Sequence, residues 1–578
     1  MMPGEHACPS WILQERLRPT LMSPSVTDDK AGMGHFEKTV SNSTIDPKAP
    51  TYTGQSWGDA AQAILGDNTH APIIVSAEDN ARILRKTDLW LLPVMLGIYF
   101  LQQLDKSTLS YASVFNLAKD THLVGFQYSA LGSIVYAAQL VWQPVSSFLL
   151  VRLPVGRWLA FNILAWGITL SCMTSATNFR TLITARFFLG LFEATVAPTF
   201  VTITAMWWRR REQTQRTSLW YSMNGLTTVV GSILTFGLGH IHSHLKPYQI
   251  IFLFTGILTV AFSVVVYFVL PDSPTTARFL TFEEKVLVVE RLRANNTGTE
   301  TKTWKWEQAR ECLLDPKTWF WFCMIFLISV PSGGITTFGP LIVQSFGYNQ
   351  LNTILLQMPF GAIQMLATLT GGFAAMHFKL KFPVLFALAL PPIAGAAALL
   401  HIPRGAQPTG VRFWAPTTCS ISFYPGIPPL IYTWSSQNTA GHTKKTITTG
   451  ILFIGQSAGN ILGPFLYTTD QAPLYKKGLT SSLACFAALA CFFLITAFYL
   501  GLLNRAHSAR RTALGKTGDL VDASLESTKD AAAAQQANGA QFAANAFDDL
   551  TDKRNEDFIC GLLYKLSRNP ADSPLDVL

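Results

Sequence analysis

The chain has 578 residues, of which 49% are hydrophobic and only 14% are charged, and its formal net charge is +9. Soluble globular proteins carry roughly 25% charged residues, and disordered chains are poor in large apolar residues. The composition therefore excludes an ordinary soluble protein and a largely disordered one, and it indicates a polytopic membrane protein.

Apolar segments long enough to cross a bilayer recur along the chain. A helix of about 20 residues spans the hydrocarbon core, which is about 30 Å thick. The predicted fold class is therefore an all-α membrane protein. Its twelve transmembrane helices are predicted at 88–112, 127–149, 158–176, 180–208, 216–239, 249–270, 318–345, 351–377, 380–401, 413–436, 446–468 and 480–503.

The longest polar interval between spans divides the helices into six and six. Two six-helix halves on a cytosolic linker are typical of transporters built from repeats. Composition and spans together predict five regions. These are a disordered cytosolic tail at 1–85, an N-terminal half at 86–270, a cytosolic linker at 271–317, a C-terminal half at 318–505 and a mostly disordered cytosolic tail at 506–578.

Lysine and arginine near the span ends predict the orientation, because cytosolic loops carry an excess of them. Basic residues cluster at 209–211, in the linker and beside the first and last spans. Both termini are therefore expected in the cytosol. The loops account for the positive charge, so no nucleic-acid partner is expected. The expected partners are a lipid bilayer and a small-molecule substrate, and the chain is expected to function as a monomer. The plasma membrane is the expected location, and a vacuolar or other internal membrane is the alternative.

The fourth span contains two charged residues, Arg186 and Glu193. Glu193 lies near the middle of the span, and Arg186 lies two helical turns earlier on the same face. Charged groups at this depth are costly and usually face the bundle interior. Both side chains are expected in one cavity, with Glu193 as a proton carrier and Arg186 as an anion site. A structural ion-pair network is the alternative.

Three other spans carry polar stripes that could face the same cavity. In the first span, Gln102, Asp105 and Lys106 share a helical face, and snorkelling at a helix end is the alternative. The remaining candidates are Trp220, Tyr221 and Asn224 in the fifth span, with interfacial anchoring as the alternative for the aromatic pair, and Gln456 and Asn460 in the eleventh.

Two helices of the second half are predicted to be broken. The seventh span has Pro331 and Gly333 at its centre, and the tenth has Pro425 and Pro428. Such breaks free backbone carbonyls, which is tolerated where they line a cavity or meet neighbouring helices. A simple packing kink is the alternative.

Several catalytic and cofactor motifs are absent from the sequence. It contains no GxxxxGK[ST] phosphate loop, no GxSxG, no HExxH and no clustered Cys/His metal ligands. We therefore expect no enzyme activity, no metal and no cofactor. A proton gradient is the expected driving force.

Several segments resemble one family in order and spacing. They include LDKSTLSYASVF, ARFFLGLFEATVAPTF, IYTWSSQNTAGHTKKTITTG and DQAPLYKKG. The chain resembles the fungal anion:cation symporter branch of the major facilitator superfamily, and its allantoate permease subgroup in particular. The resemblance covers about 86–505.

This resemblance implies two six-helix halves that work by alternating access. It also implies proton-coupled import of a small organic anion or ureide, such as allantoate, another carboxylate or a vitamin-like nutrient. The charged residues that the family carries on its first and fourth spans correspond to Asp105, Lys106, Arg186 and Glu193. Two alternatives stay open, namely a transporter that exports or moves a fungal secondary metabolite and a nutrient receptor with little transport.

Overall fold

The computed structural model describes residues 76–241, 243–293, 305–345, 348–378, 381–401, 420–467, 475–513, 551–555 and 558. The described residues form α-helices, 3-10 turns and loops, with no β-strand. Eight of the described helical segments are long and apolar enough to cross a membrane. Most residues of the two predicted tails lie outside the described residues.

The described residues of the N-terminal half form nine α-helices before the linker. They are α1 Ala77–Val114, α2 Leu117–Asp120, α3 Gln127–Arg152, α4 Val155–Cys172, α5 Phe179–Glu193, α6 Val196–Trp207, α7 Arg210–Tyr221, α8 Met223–Leu238 and α9 Pro247–Val269. Two predicted spans are each formed by a helix pair, α5 with α6 and α7 with α8. The first helix begins earlier than predicted, because the Ser76 hydroxyl caps it by accepting from the Asp79 amide at 3.0 Å.

The linker and the C-terminal half contain the other described helices. They are α10 Phe282–Arg293, α11 Trp306–Leu313, α12 Pro316–Gln344, α13 Gln350–Leu355, α14 Gln357–His377, α15 Phe382–His401, α16 Ile427–Gln437, α17 His442–Leu466 and α18 Lys476–Ala513. Part of the tenth predicted span, 413–419, lies outside the described residues. Each linker helix packs on one half: Glu284 of α10 pairs with Lys86, and Gln308 of α11 accepts from the Thr443 amide at 3.1 Å.

Four spans of the twelve-helix fold fall outside the eight apolar segments for local reasons. The helix α1 carries charges along its length, and α7 and α8 are separated at Ser222. The helix α16 is described over only 11 residues, and α17 begins with a polar turn containing Lys444 and Lys445. Polar and broken helices of this kind belong where a bundle surrounds an internal cavity.

Hydrogen bonds join the two halves at the end of the bundle away from the linker, here called the far end. Ser110 donates to the Thr336 carbonyl at 2.6 Å, Tyr128 to the Thr337 carbonyl at 3.0 Å, and Ser133 to the Ile461 carbonyl at 2.9 Å. These contacts run from α1 and α3 to α12 and α17. The opposite end of the bundle, where α9 ends and α12 begins, is called the linker end.

Candidate functional site

A cavity of about 210 Å³ lies between the two halves. Small-molecule sites are usually concave spaces in which a few polar groups converge, and interfaces between structural units commonly provide them. Both halves contribute to the wall. Of the residues singled out from the sequence, eight line it: Gln102, Lys106, Glu193, Tyr221, Asn224, Pro425, Gln456 and Asn460.

An ion pair lies in the wall of this cavity. Lys106 Nζ lies 3.8 Å from Glu193 Oε2, and Glu193 is 1% exposed. The amide of Gln139 donates to the same carboxylate oxygen at 3.3 Å, and Gln102 donates to the Glu193 backbone carbonyl at 3.4 Å. Within the described residues, Glu193 Oε1 has no hydrogen-bond partner. One carboxylate oxygen therefore accepts a hydrogen bond, and the other is buried without a partner among the described residues.

Glu193 occupies a break in its span. The helix α5 ends at Glu193, and α6 begins at Val196. The physical cause is Pro198, which has no amide hydrogen to donate to the carbonyl four residues earlier, at Ala194. The depth of Glu193 in its span was visible in the sequence, and Pro198 is the sequence signal for the break. The break brings a charged side chain and an interrupted backbone to the same cavity wall.

Nine amide side chains contribute to the polar lining, beside a similar number of hydroxyl side chains. Each amide offers both donors and an acceptor, so together they can hydrogen-bond a neutral polar solute as well as an anion. Sequence analysis selected four of them and missed the other five, although a glutamine inside an apolar span is a recognisable signal of an interior position. The lining amides are Gln102, Gln103, Gln139, Gln143, Asn224, Gln357, Gln364, Gln456 and Asn460.

Asp105 does not line the cavity. Its side chain is fully buried, and its Oδ2 accepts hydrogen bonds from Trp166 Nε1 at 2.6 Å and from the Thr259 hydroxyl at 3.1 Å. These contacts join α1 to α4 and α9 within the N-terminal half. Asp105 and Lys106 diverge because consecutive residues on an α-helix lie about 100° apart. The expectation that both face one cavity is therefore wrong for Asp105.

Arg186 is also outside the cavity wall, although Glu193 on the same helix lines it. The guanidinium is buried at 3% exposure, and its Nε donates to the Leu131 carbonyl at 3.0 Å. Its Nη1 has no hydrogen-bond partner within the described residues. The expectation that Arg186 and Glu193 both point into the cavity is wrong for Arg186, because its guanidinium donates a hydrogen bond to the Leu131 carbonyl of α3 instead.

The aromatic residues of the fifth span separate into a packing role and a lining role. Trp220 is buried, with its ring centroid 5.0 Å from Tyr99 and 5.5 Å from Phe200. It supports the wall from behind and does not line the cavity, whereas Tyr221 and Asn224 do. Of the predicted aromatic pair, Tyr221 lines the cavity and Trp220 does not.

The two predicted helix breaks differ. The helix α12 runs without interruption through Pro331 and Gly333, so the predicted break is wrong there. The helix α17 packs closely at this point, where a β-carbon on Gly333 would lie 2.9 Å from the Asn460 Cα. In the tenth span a 3-10 turn at Tyr424–Gly426 precedes α16. Pro428 lies in the first turn of α16, where a missing amide hydrogen is tolerated.

Comparisons with known proteins agree on one family. Residues 95–464 match the sequence profile of the Major Facilitator Superfamily. An uncharacterized transporter of Schizosaccharomyces pombe is 34% identical over 76% of this chain and 83% of its own length. In Saccharomyces cerevisiae, the thiamine pathway transporter is 35% identical over 69% of this chain and 76% of its own length, and allantoate permease is 28% identical over 84% and 87%.

Proposed function

The chain belongs to the major facilitator superfamily and is a multi-pass membrane transporter with a small-molecule substrate, and on this premise we propose that it carries a small organic anion or ureide together with protons by alternating access. The observation that carries the proposal is the Lys106–Glu193 pair in the cavity wall. Relatives named for allantoate, thiamine and nicotinic acid support a small organic solute.

The pair provides a simple exchange mechanism. With Glu193 ionised, its carboxylate is the counter-ion of Lys106 at 3.8 Å. Protonation of Glu193 removes that counter-ion and leaves the ammonium to bind a carboxylate of the substrate. One proton and one anion then occupy the site together, which makes Glu193 the proton carrier and Lys106 the anion site. Gln139 is the positioning residue, because its amide holds the glutamate side chain.

Other cavity residues would recognise the remainder of the solute. Gln456 and Asn460 of α17 face the amides of the N-terminal half across the cavity. Paired donors and acceptors of this kind suit the urea and amide groups of a ureide. Arg186, which lies outside the wall, contributes its positive charge through space, because charges in a low-dielectric interior interact over longer distances than in water.

Two experiments test this function. A substrate panel that includes allantoate and ureidosuccinate is supplied to permease-deficient yeast expressing the chain, and uptake identifies the solute. The purified transporter is then reconstituted in proteoliposomes with and without an imposed pH gradient. Uptake that ignores the gradient would contradict proton coupling.

The variant Glu193→Gln tests the proton carrier directly. Its amide cannot exchange a proton, so we expect uptake to lose its dependence on the gradient while the protein still reaches the membrane. The matched control is Glu283→Gln, the same chemical change on an exposed position of α10. Normal gradient-driven uptake by Glu193→Gln, or its loss in the control, would remove the assignment.

The proposed location is the plasma membrane, with both termini in the cytosol. The support is the distribution of lysine and arginine, which are concentrated at the linker end of the bundle. Epitope tags at either terminus should become accessible to antibody only after the cell is permeabilised. Labelling of intact cells would contradict this orientation.

A further inference from the structure

A short segment of the C-terminal tail packs on the linker end of the C-terminal half. It consists of 551–555 and Phe558 and is called here the tail strap. The last helix among the described residues ends well before it, at Ala513. Thr551 and Asp552 are 1% and 2% exposed. A tail residue of such polarity reaches this burial only where the rest of the fold provides partners for it.

The partners of Asp552 are two buried lysines. Its Oδ2 pairs with Lys317 Nζ in the first turn of α12, and its Oδ1 lies 2.9 Å from Lys444 Nζ in the first turn of α17. Lys317 and Lys444 are 2% and 1% exposed. Two ammonium groups thus converge on one carboxylate supplied from a distant part of the chain.

The same contacts fix the turn between α16 and α17. The Ala440 amide donates to Asp552 Oδ1 at 3.3 Å, and Lys317 Nζ donates to the Asn438 carbonyl at 3.1 Å. The carboxylate and its lysine therefore hold the backbone of 438–441 from both sides. This turn and the first turns of α12 and α17 all lie at the linker end.

The rest of the strap adds contacts around this centre. The Thr551 hydroxyl donates to Glu311 of α11 at 2.9 Å, and the Phe558 carbonyl lies 3.0 Å from His507 Nδ1 of α18. Arg554 pairs with Glu307 at 2.9 Å, but both side chains are more than half exposed. The buried Asp552 contacts and this exposed pair differ in kind, and the difference can be tested.

We propose that Lys317 and Lys444 form a carboxylate-binding site whose occupant is Asp552 of the chain's own tail. The tail strap binds there reversibly and, when bound, stabilises the linker end. When the strap leaves, the Asp552 carboxylate must rehydrate, while Lys444 keeps Glu311 at 2.9 Å and Asp315 at 2.7 Å. Water then reaches the turn at 438–441, and α11, α12 and α17 lose a common partner. The inference does not depend on which solute is carried.

Cleavage by trypsin measures the docked fraction, because Lys553 and Arg554 lie in the strap and a protease cuts the released form. In the purified full chain, cleavage at these bonds should be at least about tenfold slower than in a synthetic peptide of residues 545–562, as expected for a strap held by buried ion pairs. Equal rates in chain and peptide would overturn the proposal without any variant.

The variant Asp552→Asn should raise the rate at least about tenfold, since a buried pair that loses one partner is strongly destabilised. Asp552→Glu keeps the charge and should remain closer to the wild type, and gel filtration checks that each variant is folded. The matched control Glu307→Gln removes the exposed pair by the same chemical change and should alter the rate less than about twofold. Equal effects of Asp552→Asn and Glu307→Gln would overturn the central role of the buried site.

Hydrogen exchange tests the effect on the turn. In Asp552→Asn the backbone amides of 438–441 should exchange at least about tenfold faster than in the wild type. The amides of the buried helices in the N-terminal half should keep their wild-type rates, because a local opening exposes only the amides of the segment that opens. Faster cleavage without faster exchange at the turn would show that the strap docks but does not fasten the linker end.

Discussion

Replacement of Gly463 by alanine should destabilise the packing of α12 against α17. The β-carbon of an alanine at this position would lie 2.3 Å from the Val330 carbonyl oxygen and 2.8 Å from the Gly334 nitrogen. Ordinary contacts begin at 3.4 Å, so the helices must separate by about 1 Å. Overpacking of this kind costs about 1–3 kcal/mol.

Gly450 on the same helix is the matched control, because nothing lies within 4 Å of a β-carbon added there. Both substitutions gain about 1 kcal/mol of intrinsic helix propensity. The difference between Gly463→Ala and Gly450→Ala therefore isolates the steric cost. For a chain of this length the unfolding entropy is about 1 kcal/mol/K, so a cost of about 2 kcal/mol lowers the unfolding temperature in detergent by about 2 °C relative to the control. Equal unfolding temperatures would refute the inferred close approach.

Three further predictions concern polar contacts. Gln139→Leu removes a hydrogen bond to the Glu193 carboxylate, and a hydrogen bond to a charged group contributes about 1.5–3 kcal/mol. The pH profile of uptake should therefore shift, and an unchanged profile would exclude a positioning role for Gln139. Trp166→Phe leaves Asp105 without its 2.6 Å donor and should lower stability by about 1–3 kcal/mol in a thermal unfolding assay, with uptake per folded molecule retained. Burial raises the pKa of Asp552, but the neighbouring lysine ammonium groups outweigh this and lower it overall. A carboxyl group whose pKa is lowered in the folded state stabilises the fold above its ordinary pKa, and this contribution is lost as the pH falls through the lowered value. The difference in unfolding temperature between wild type and Asp552→Asn should therefore be constant from about pH 5 to 8 and should shrink below about pH 4.

The sequence was sufficient for the fold class and for several of the polar residues that line the cavity. Apolar periods and lengths reflect local burial in lipid, and each span can be recognised without its neighbours. The position of Glu193 followed in the same way, because the midpoint of a span is a property of that span alone. Lys106, Asn224, Gln456 and Asn460 were found because polar residues within apolar spans are few.

The direction of buried charged side chains could not be predicted from one helix. Asp105 turns away from the cavity because Trp166, on another helix, donates to it at 2.6 Å. Arg186 is likewise taken by a carbonyl of α3. A helical face in the sequence defines a sector of the bundle interior, and that sector includes both the cavity and the contacts between helices of one half. Whether a side chain faces the cavity or a neighbouring helix depends on its hydrogen-bond partner, which lies on another helix.

Prolines also required their neighbours to be known. Pro331 predicted a break, but α12 continues through it. No break was predicted at Pro198, yet the span is interrupted beside Glu193. Proline always removes one helical hydrogen bond, but whether the helix is interrupted depends on what replaces that bond.

The two lysine–carboxylate sites of the molecule differ in a way that matches the roles proposed for them. Lys444 has three carboxylates around its ammonium group, from Glu311, Asp315 and Asp552, at 2.7–2.9 Å. Lys106 has Glu193 at 3.8 Å, which is beyond hydrogen-bond distance. A lysine with several close partners keeps its charge compensated when one leaves, so the site at the linker end can release the tail strap and persist. A lysine whose carboxylate partner in the described structure is distant loses its compensation when that partner is protonated, and an incoming anion can then take its place. This difference in geometry supports the role proposed for Lys444 in holding the tail strap and the role proposed for Lys106 in exchanging its anion.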